Sequence, residues 1–118
     1  MKEMEILLIQ ACIKLLKSKT INEISVTQIC DVANVSRITF YRYFQDKYDL
    51  SNSILPYLEE PVIDEYARTR DYPKYFKDSC RVIHDNYNIL RRIYINSDDH
   101  NSFQPYLIDS NMKRFEAH

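Results

Sequence analysis

The sequence contains no glycine among its 118 residues, and this absence excludes several classes of fold and site. Sheet-rich folds depend on glycine for tight hairpin turns, so an all-α fold is favoured. The common phosphate-binding loops need glycines where the backbone approaches the phosphate, so neither a nucleotide-triphosphate loop nor a dinucleotide-binding loop is present.

Membrane and metal signals are also missing. No run of about 18 apolar residues is present, which argues against a membrane span. Gln10 and Lys14 interrupt the N-terminal apolar stretch, so it does not resemble a signal peptide. No cysteine pair has metal-ligand spacing, and the three histidines, His84, His100 and His118, are far apart. We therefore expect a cytoplasmic protein with no membrane contact, metal or other cofactor.

Nothing in the sequence marks a catalytic centre. Ser79 and Cys80 lack the histidine and acid pattern of an activated nucleophile. The acid pairs are adjacent in sequence and would point in different directions on a helix, so we interpret them as solvated: Glu59-Glu60, Asp64-Glu65 and Asp98-Asp99. The three cysteines, Cys12, Cys30 and Cys80, lie in apolar helical patterns and are expected to be reduced, buried thiols. We therefore predict that the protein is not an enzyme.

Two short helices joined by a tight turn are predicted within residues 25–47, which read SVTQICDVANVSRITFYRYFQDK. Ser25 and Gln28 can form a capping box at the start of the first helix. Asn34 tolerates the left-handed backbone of a turn, and Ser36 is a good N-cap for the second helix. This arrangement is typical of a helix-turn-helix, which places its second helix in the major groove of DNA.

The second helix, predicted from Arg37 to about Phe44, has two unlike sides. The apolar side is expected to form a small core between the two helices, composed of Ile29, Val32, Val35, Phe40 and Phe44. The other side contains no acid and carries Arg37, Thr39, Tyr41, Arg42 and Tyr43. Arginine can bind guanine through two hydrogen bonds, threonine can contact a thymine methyl group, and tyrosine can donate to phosphate. An ordinary solvated helix face is the alternative interpretation, and the specific pattern around the helix argues against it.

On these residues the sequence resembles the TetR family of bacterial transcriptional regulators. The helix-turn-helix of that family typically reads T-S-V-x-x-I-A-x-x-A-G-V-S-K-G-T-L-Y-x-Y-F-x-x-K. The chain matches it at Ser25-Val26, Ile29-Cys30, most of residues 33–41, Tyr43-Phe44 and Lys47, and the resemblance extends from about Ile6 to Leu55. Three positions depart from the pattern. Asn34 replaces the turn glycine, Cys30 replaces a small alanine, and Ile38 replaces a residue that is usually glycine, alanine or proline and lies close to DNA.

The resemblance implies a set of DNA-binding residues. Contacts with bases are expected from Arg37, Thr39, Tyr41 and Arg42, and contacts with the DNA backbone from Thr27, Gln28, Tyr43 and Lys47. Ser36 and Ile38, at the start of the second helix, complete the predicted set. Lys47 has a further reason to seek a partner, since a cation in the first turn of a helix is disfavoured by the helix dipole.

The helical pattern divides the chain into two predicted domains. Residues 1–46 would form a three-helix DNA-binding head, which is completed by a first helix from Met4 to Leu16. Residues 47–118 would form a helical effector-binding and dimerisation body that is short for the family, either as a truncated form or as a shortened relative. The effector-binding residues are not predicted by the sequence.

The body is expected to contain several helices interrupted by prolines. A helix capped by Asp46 would run to Leu55, with a kink at Pro56 and a break before Pro61. A short helix at 62–70 and one continuous helix at 74–96 would follow. The continuous helix, with Pro73 at its start, carries one apolar stripe, composed of Phe76, Cys80, Ile83, Tyr87, Leu90 and Tyr94. A polar loop at 96–101 and a last helix from about Ser102 would end the chain.

The expected function is that of a ligand-responsive repressor, which binds a palindromic operator in double-stranded DNA as a homodimer and has a small-molecule effector. The net charge of −1 is compatible with this function, because a site-specific binder needs only local positive charge. Two alternatives stay open at this point. One is a TetR-like activator controlled by a protein partner, and the other is a helical interaction module that has lost DNA binding because of Ile38.

Overall fold

A computed structural model of the protein describes residues 2–94, and these residues form helices and no strand. A single 3₁₀ turn, Ile21–Glu23, lies among the α-helices of this part. The α-helices are α1 (Glu3–Leu16), α2 (Val26–Ala33), α3 (Arg37–Tyr43), α4 (Lys47–Ser51), α5 (Ile54–Thr69), α6 (Tyr72–Asp85) and α7 (Tyr87–Tyr94). The predicted all-α class, with a helix-turn-helix near the N-terminus, is confirmed.

Two compact units make up the chain, residues 1–60 and 61–118. Helix α5 begins in the first unit and ends in the second. The functional division after residue 46 stays a prediction. The predicted loop at 96–101 and the predicted last helix from Ser102 lie outside the described residues. Within residues 2–94, no helix is both long and apolar enough to cross a membrane.

The first unit is built around α1, which packs against α2 and α4. One face of α1 is buried, as its three- and four-residue apolar spacing predicts. The core of this unit consists of Leu8, Ile9, Ala11, Cys12, Leu16, Ile21, Ile24, Ile29, Cys30, Phe40, Phe44, Leu50 and Ile54. Burial of this much apolar surface is the main source of stability for the unit.

Val32 is not part of that core, so the prediction that placed it there was wrong. Its exposed fraction is 41%, whereas Ile29 is fully buried and Val35 is half-buried. Successive residues of an α-helix are about 100° apart, and the buried side of α2 is centred between Ile29 and Cys30. Val32 therefore lies about 110° from the centre of the buried side.

The predicted break before Pro61 is wrong, and the kink at Pro56 stays a prediction. Helix α5 is continuous through both prolines. Pro56 falls in its first turn, where a backbone N–H would have no partner within the helix, so proline fits there. Pro61 lies in the interior of α5, where it removes one backbone hydrogen bond without ending the helix.

The helix that was expected to run from Asp46 to Leu55 is broken earlier, between Ser51 and Ile54. Asp46 is the N-cap, as predicted, and its carboxylate accepts from the Asp49 amide at 2.8 Å. The hydroxyl of Ser51 donates to the Tyr48 carbonyl at 2.8 Å. Such a bond between a serine side chain and a backbone carbonyl competes with the helical hydrogen bonds, and α4 ends at this point.

The second unit contains a similar break, because the continuous helix expected at 74–96 is two helices. Its start is close to prediction, with Asp71 as N-cap and Pro73 in the first turn. Helix α6 ends at Asp85, and the side-chain amide of its C-cap, Asn86, donates to the Val82 carbonyl at 2.8 Å. The break turns Tyr87 out of the predicted stripe, and its exposed fraction is 54%.

The buried residues of the second unit, within 61–94, are few: Ser79, Leu90, Ile93 and Tyr94. Three tyrosine rings pack together where α5 meets α6, and the ring centroids of Tyr66 and Tyr75 are 4.9 Å apart. The Lys74 ammonium lies 2.7 Å from the carboxylate of Glu65 and 3.1 Å from that of Asp78. All of these groups are at least partly exposed to solvent.

Candidate nucleic-acid interface

The orientation of α3 is fixed by capping hydrogen bonds at the start of α2 and at the start of α3, and by the turn between these two helices. The Ser25 hydroxyl accepts from the Gln28 amide at 3.1 Å, and the Gln28 side chain accepts from the Ser25 amide at 2.9 Å. Asn34 has φ 58° and ψ 48°, which is the left-handed turn conformation. The Ser36 hydroxyl then accepts from the Thr39 amide at 3.1 Å. The predicted helix-turn-helix is therefore confirmed at each of its caps and at its turn.

Two phenylalanines anchor α3 to the core of the first unit. Phe40 is fully buried and Phe44 is 5% exposed. Their ring centroids are 5.8 Å apart, and the Phe40 ring meets the ring of Tyr41 edge-on at 5.2 Å. Because its inner side is held in this way, α3 presents its remaining side chains on a rigid support.

The outer face of α3 can be ordered by its angle from Phe40. At about 100° per residue, Ile38 and Arg42 lie about 160° to either side of Phe40 and therefore directly opposite the core. Arg37 and Tyr41 lie on one flank, and both are exposed. Thr39 and Tyr43 lie on the other flank, and both are half-buried. The exposed centre of the helix is thus one arginine and one isoleucine.

One arginine of this face is held by a neighbouring tyrosine. A guanidinium nitrogen of Arg37 lies 3.5 Å from the Tyr41 hydroxyl, and the guanidinium carbon lies 5.9 Å from the ring centroid. The hydrogen bond to Tyr41 raises the pKa of Arg37. No acidic residue occurs from Val32 to Gln45, so no carboxylate of this segment competes for either arginine. The face is therefore locally cationic although the whole chain has a net charge of −1.

Several predicted contact residues already have partners within the protein. The hydroxyls of Ser36 and Thr39 are 3.0 Å apart. The Gln28 cap uses the carbonyl oxygen of its side chain, and its NH₂ group stays a donor. Thr27 is exposed in the first turn of α2. These side chains can donate to an anion without breaking the caps that orient the two helices.

Lys47 has a structural role that the sequence did not reveal. Its ammonium group donates to the backbone carbonyls of Asn22 at 3.1 Å and Ile24 at 2.7 Å. Burial lowers the pKa of this lysine. The adjacent Tyr48 hydroxyl donates to the Asn22 side chain at 2.8 Å. These bonds hold the start of α4 to the end of the 3₁₀ turn, and they leave one of the three ammonium hydrogens for another acceptor.

The sequence signal for Lys47 was its unfavourable position in the first turn of a helix, which indicated some further partner. That signal could not identify the partner, because Asn22 and Ile24 are more than twenty residues away. Tyr48 and Asn22 carried no signal and were missed. A phosphate contact by Lys47 stays a prediction, since it would use the remaining hydrogen.

The ten predicted DNA-binding residues all lie in the first unit. Seven of them lie on α3 or at its cap: Ser36, Arg37, Ile38, Thr39, Tyr41, Arg42 and Tyr43. Thr27 and Gln28 lie in the first turn of α2, and Lys47 opens α4. Among the described residues, no group of three or more histidines, cysteines or acids could hold a metal ion.

Part of the chain matches a known protein family. Residues 8–54 match the model of a family described as bacterial regulatory proteins, tetR family. The match includes most of α1, the whole of α2, α3 and α4, and the first residue of α5. No curated protein and no solved structure gives a significant match.

Proposed function

We propose that the chain is a repressor that binds a palindromic DNA operator as a homodimer and responds to a small molecule, because residues 8–54 match the TetR family of bacterial regulatory proteins. A DNA-binding transcriptional regulator is what this family match supports. The observation that carries the proposal is the outer face of α3, which is anchored by the buried Phe40 and carries two exposed arginines without an acid.

The arrangement on α3 suits direct reading of base edges. Arg42 lies opposite the core, where a helix in the major groove would face the bases. Arg37 lies on the flank with its guanidinium held at Tyr41, so less side-chain freedom is lost when it binds a guanine. Thr39 and Tyr41 are the other proposed base contacts.

Contacts with the DNA backbone would fix the position of that helix. Thr27, Gln28 and Tyr43 supply hydroxyl and amide donors, and Lys47 supplies the remaining hydrogen of its ammonium group. Such contacts hold the protein in register and carry no sequence information themselves. Ser36 acts mainly by holding the N-terminus of α3 through its cap.

The proposed operator is palindromic because a two-fold dimer presents two copies of α3 to two half-sites. The two copies of α3 would have the spacing of the operator half-sites in one form of the dimer and a different spacing in another form. A small molecule that binds the second form more tightly would shift the population away from the DNA-binding form. Residues 47–118 are the proposed site of effector binding and dimerisation, and the cytoplasm is the proposed location.

Selection of binding sites from a random duplex pool at moderate salt tests the proposal. The parent chain is compared with the double variant Arg37→Ala/Arg42→Ala. A charge-matched control, Lys2→Ala/Lys14→Ala, removes two exposed cations from α1 and its N-cap. We expect the parent and the control to enrich the same palindrome, because the control leaves α3 intact. Replacement of either α3 arginine alone by alanine should weaken binding of that duplex about tenfold to a hundredfold.

Two other results would change the proposal. Enrichment of a single half-site would mean that α3 reads DNA but that this chain does not dimerise on it. No enrichment by the parent, or equal enrichment by the Arg37→Ala/Arg42→Ala variant, would contradict DNA reading by α3. Thermal unfolding in the presence of candidate small molecules tests the effector, since a ligand that binds the folded state raises the melting temperature.

A further inference from the structure

Ile38 is the most exposed large apolar side chain within residues 2–94, with an exposed fraction of 76%. A single exposed apolar residue is common on protein surfaces and by itself needs no explanation. The position of Ile38 is different, because it lies on the outer face of α3, where the neighbouring side chains all carry hydrogen-bonding groups. No requirement of the core accounts for an isoleucine at this place.

The geometry of α3 puts Ile38 at the centre of the proposed DNA-reading face. Phe40, two residues later, is fully buried, so the side chain of Ile38 lies about 160° away from the core. Arg42 is four residues after Ile38 and therefore lies on the same side of α3 as Ile38, one helical turn away. If α3 occupies the major groove, Ile38 and Arg42 are the two side chains that face the bases most directly.

An isoleucine cannot read a base by hydrogen bonding, so its contact must be with an apolar group. In the major groove, the four base pairs present hydrogen-bond donors, acceptors and one apolar group, which is the C5 methyl of thymine. Contact with a charged phosphate or a polar sugar would give little stabilisation to the branched alkyl chain of Ile38. The hydrophobic effect favours contact of this chain with another apolar surface, because such contact removes both surfaces from water.

We propose that Ile38 is a specificity-determining residue that selects thymine through its C5 methyl group, beside the base that Arg42 contacts. This inference rests on the proposed function and adds to it a base preference at one position of each half-site. Burial of one methyl group against Ile38 is worth about a fourfold gain in affinity. Selected sites should therefore contain a thymine within a few base pairs of the guanine that Arg42 reads.

Replacement of thymine by deoxyuridine tests this inference, because it removes the methyl group and leaves the hydrogen-bonding groups unchanged. Duplexes selected by the parent chain are synthesised with each thymine replaced in turn, and affinity is measured for the parent and for Ile38→Ala. Leu7→Ala, which changes an exposed apolar residue of α1, is the matched control. Circular dichroism is expected to show that both variants fold, since both side chains are exposed.

For the parent and for Leu7→Ala, we expect that replacing one particular thymine in each half-site lowers the affinity about fourfold. For Ile38→Ala, the same replacement should leave the affinity unchanged. If every thymine can be replaced without loss, or if the loss is the same in Ile38→Ala, Ile38 does not read the methyl group, while sequence-specific binding itself stands. If the pool yields no enriched sequence, the proposed function fails and this inference fails with it.

Discussion

The two units of the chain differ in the interactions that stabilise each of them internally. The first unit has a continuous apolar core from α1 to the start of α5, and its helix ends are closed by reciprocal caps such as Ser25 with Gln28. The described part of the second unit, residues 61–94, buries few side chains and relies on packed tyrosine rings and ion pairs of Lys74 at its surface.

This difference shows which unit can hold surface side chains in fixed positions. A side chain can read a base only if its support holds it within a fraction of an ångström, and a close-packed core provides such support. Phe40 connects the outer face of α3 directly to the core of the first unit. Partly exposed ion pairs, like those of Lys74, are screened by water and constrain their surroundings less. The proposed DNA reading accordingly belongs to the first unit.

The largest predicted effect is that of Phe40→Ala. Removing a fully buried phenylalanine leaves a cavity and should lower the free energy of unfolding by about 3–5 kcal/mol. Urea unfolding followed by circular dichroism measures this loss. Tyr41→Ala is the control, because its side chain is 49% exposed on the same helix. Equal midpoints for the two variants would contradict the view that the core holds α3.

A comparison of Lys47→Met with Lys74→Met should give the next largest effect. Lys47 joins α4 to the 3₁₀ turn through two backbone carbonyls, and leaving these carbonyls without a partner should cost about 1 kcal/mol or more. Lys74 bonds two carboxylates at the surface, where solvent screens the interaction. Thermal unfolding of both variants is the measurement. A larger loss for Lys74→Met would reverse the comparison of the two units.

A smaller effect is expected from pH, through the buried Cys12. Burial raises the pKa of this thiol to about 12, from 9.0 in an exposed thiol. The unfolded chain therefore loses this proton first, and the stability contributed by the neutral thiol is complete below about pH 9 and is lost as the pH rises toward 12. The free energy of unfolding of the parent should fall relative to that of Cys12→Ala by about 1 kcal/mol between pH 9 and pH 10.

Ile9→Val is the control for this measurement, because Ile9 is fully buried on the same helix and has no titratable group. The pH dependence of the Ile9→Val variant should follow that of the parent. If the difference between the parent and Cys12→Ala does not change with pH, the thiol of Cys12 is not isolated from water as the structure shows.

The parts of the fold that could be predicted from the sequence depend on residues close together in the chain. The caps at Ser25, Ser36 and Asp46 act over three residues, and the left-handed turn at Asn34 is a property of one residue. Such features follow from short patterns and were found. The apolar spacing of α1 identified its buried face for the same reason.

The features that were missed depend on tertiary context or on competition between side chain and backbone. The breaks after Ser51 and at Asn86 arise where a polar side chain bonds a nearby carbonyl, and many serines and asparagines do not break helices. The partners of Lys47 are brought to it only by the folded chain. The contact set on α3 stays a prediction because neither the sequence nor the fold contains the DNA.

Amide chemical shifts of the ¹⁵N-labelled chain, recorded by NMR as a selected duplex is added, test the central claim most directly. The account predicts that the largest changes fall on residues 36–43 of α3 and its cap, with smaller ones at Thr27, Gln28 and Lys47. Little change is expected at Tyr66, Tyr72 and Tyr75, whose rings pack together in the second unit. Changes confined to residues 61–94, with α3 unaffected, would contradict the claim that α3 is the helix that reads DNA.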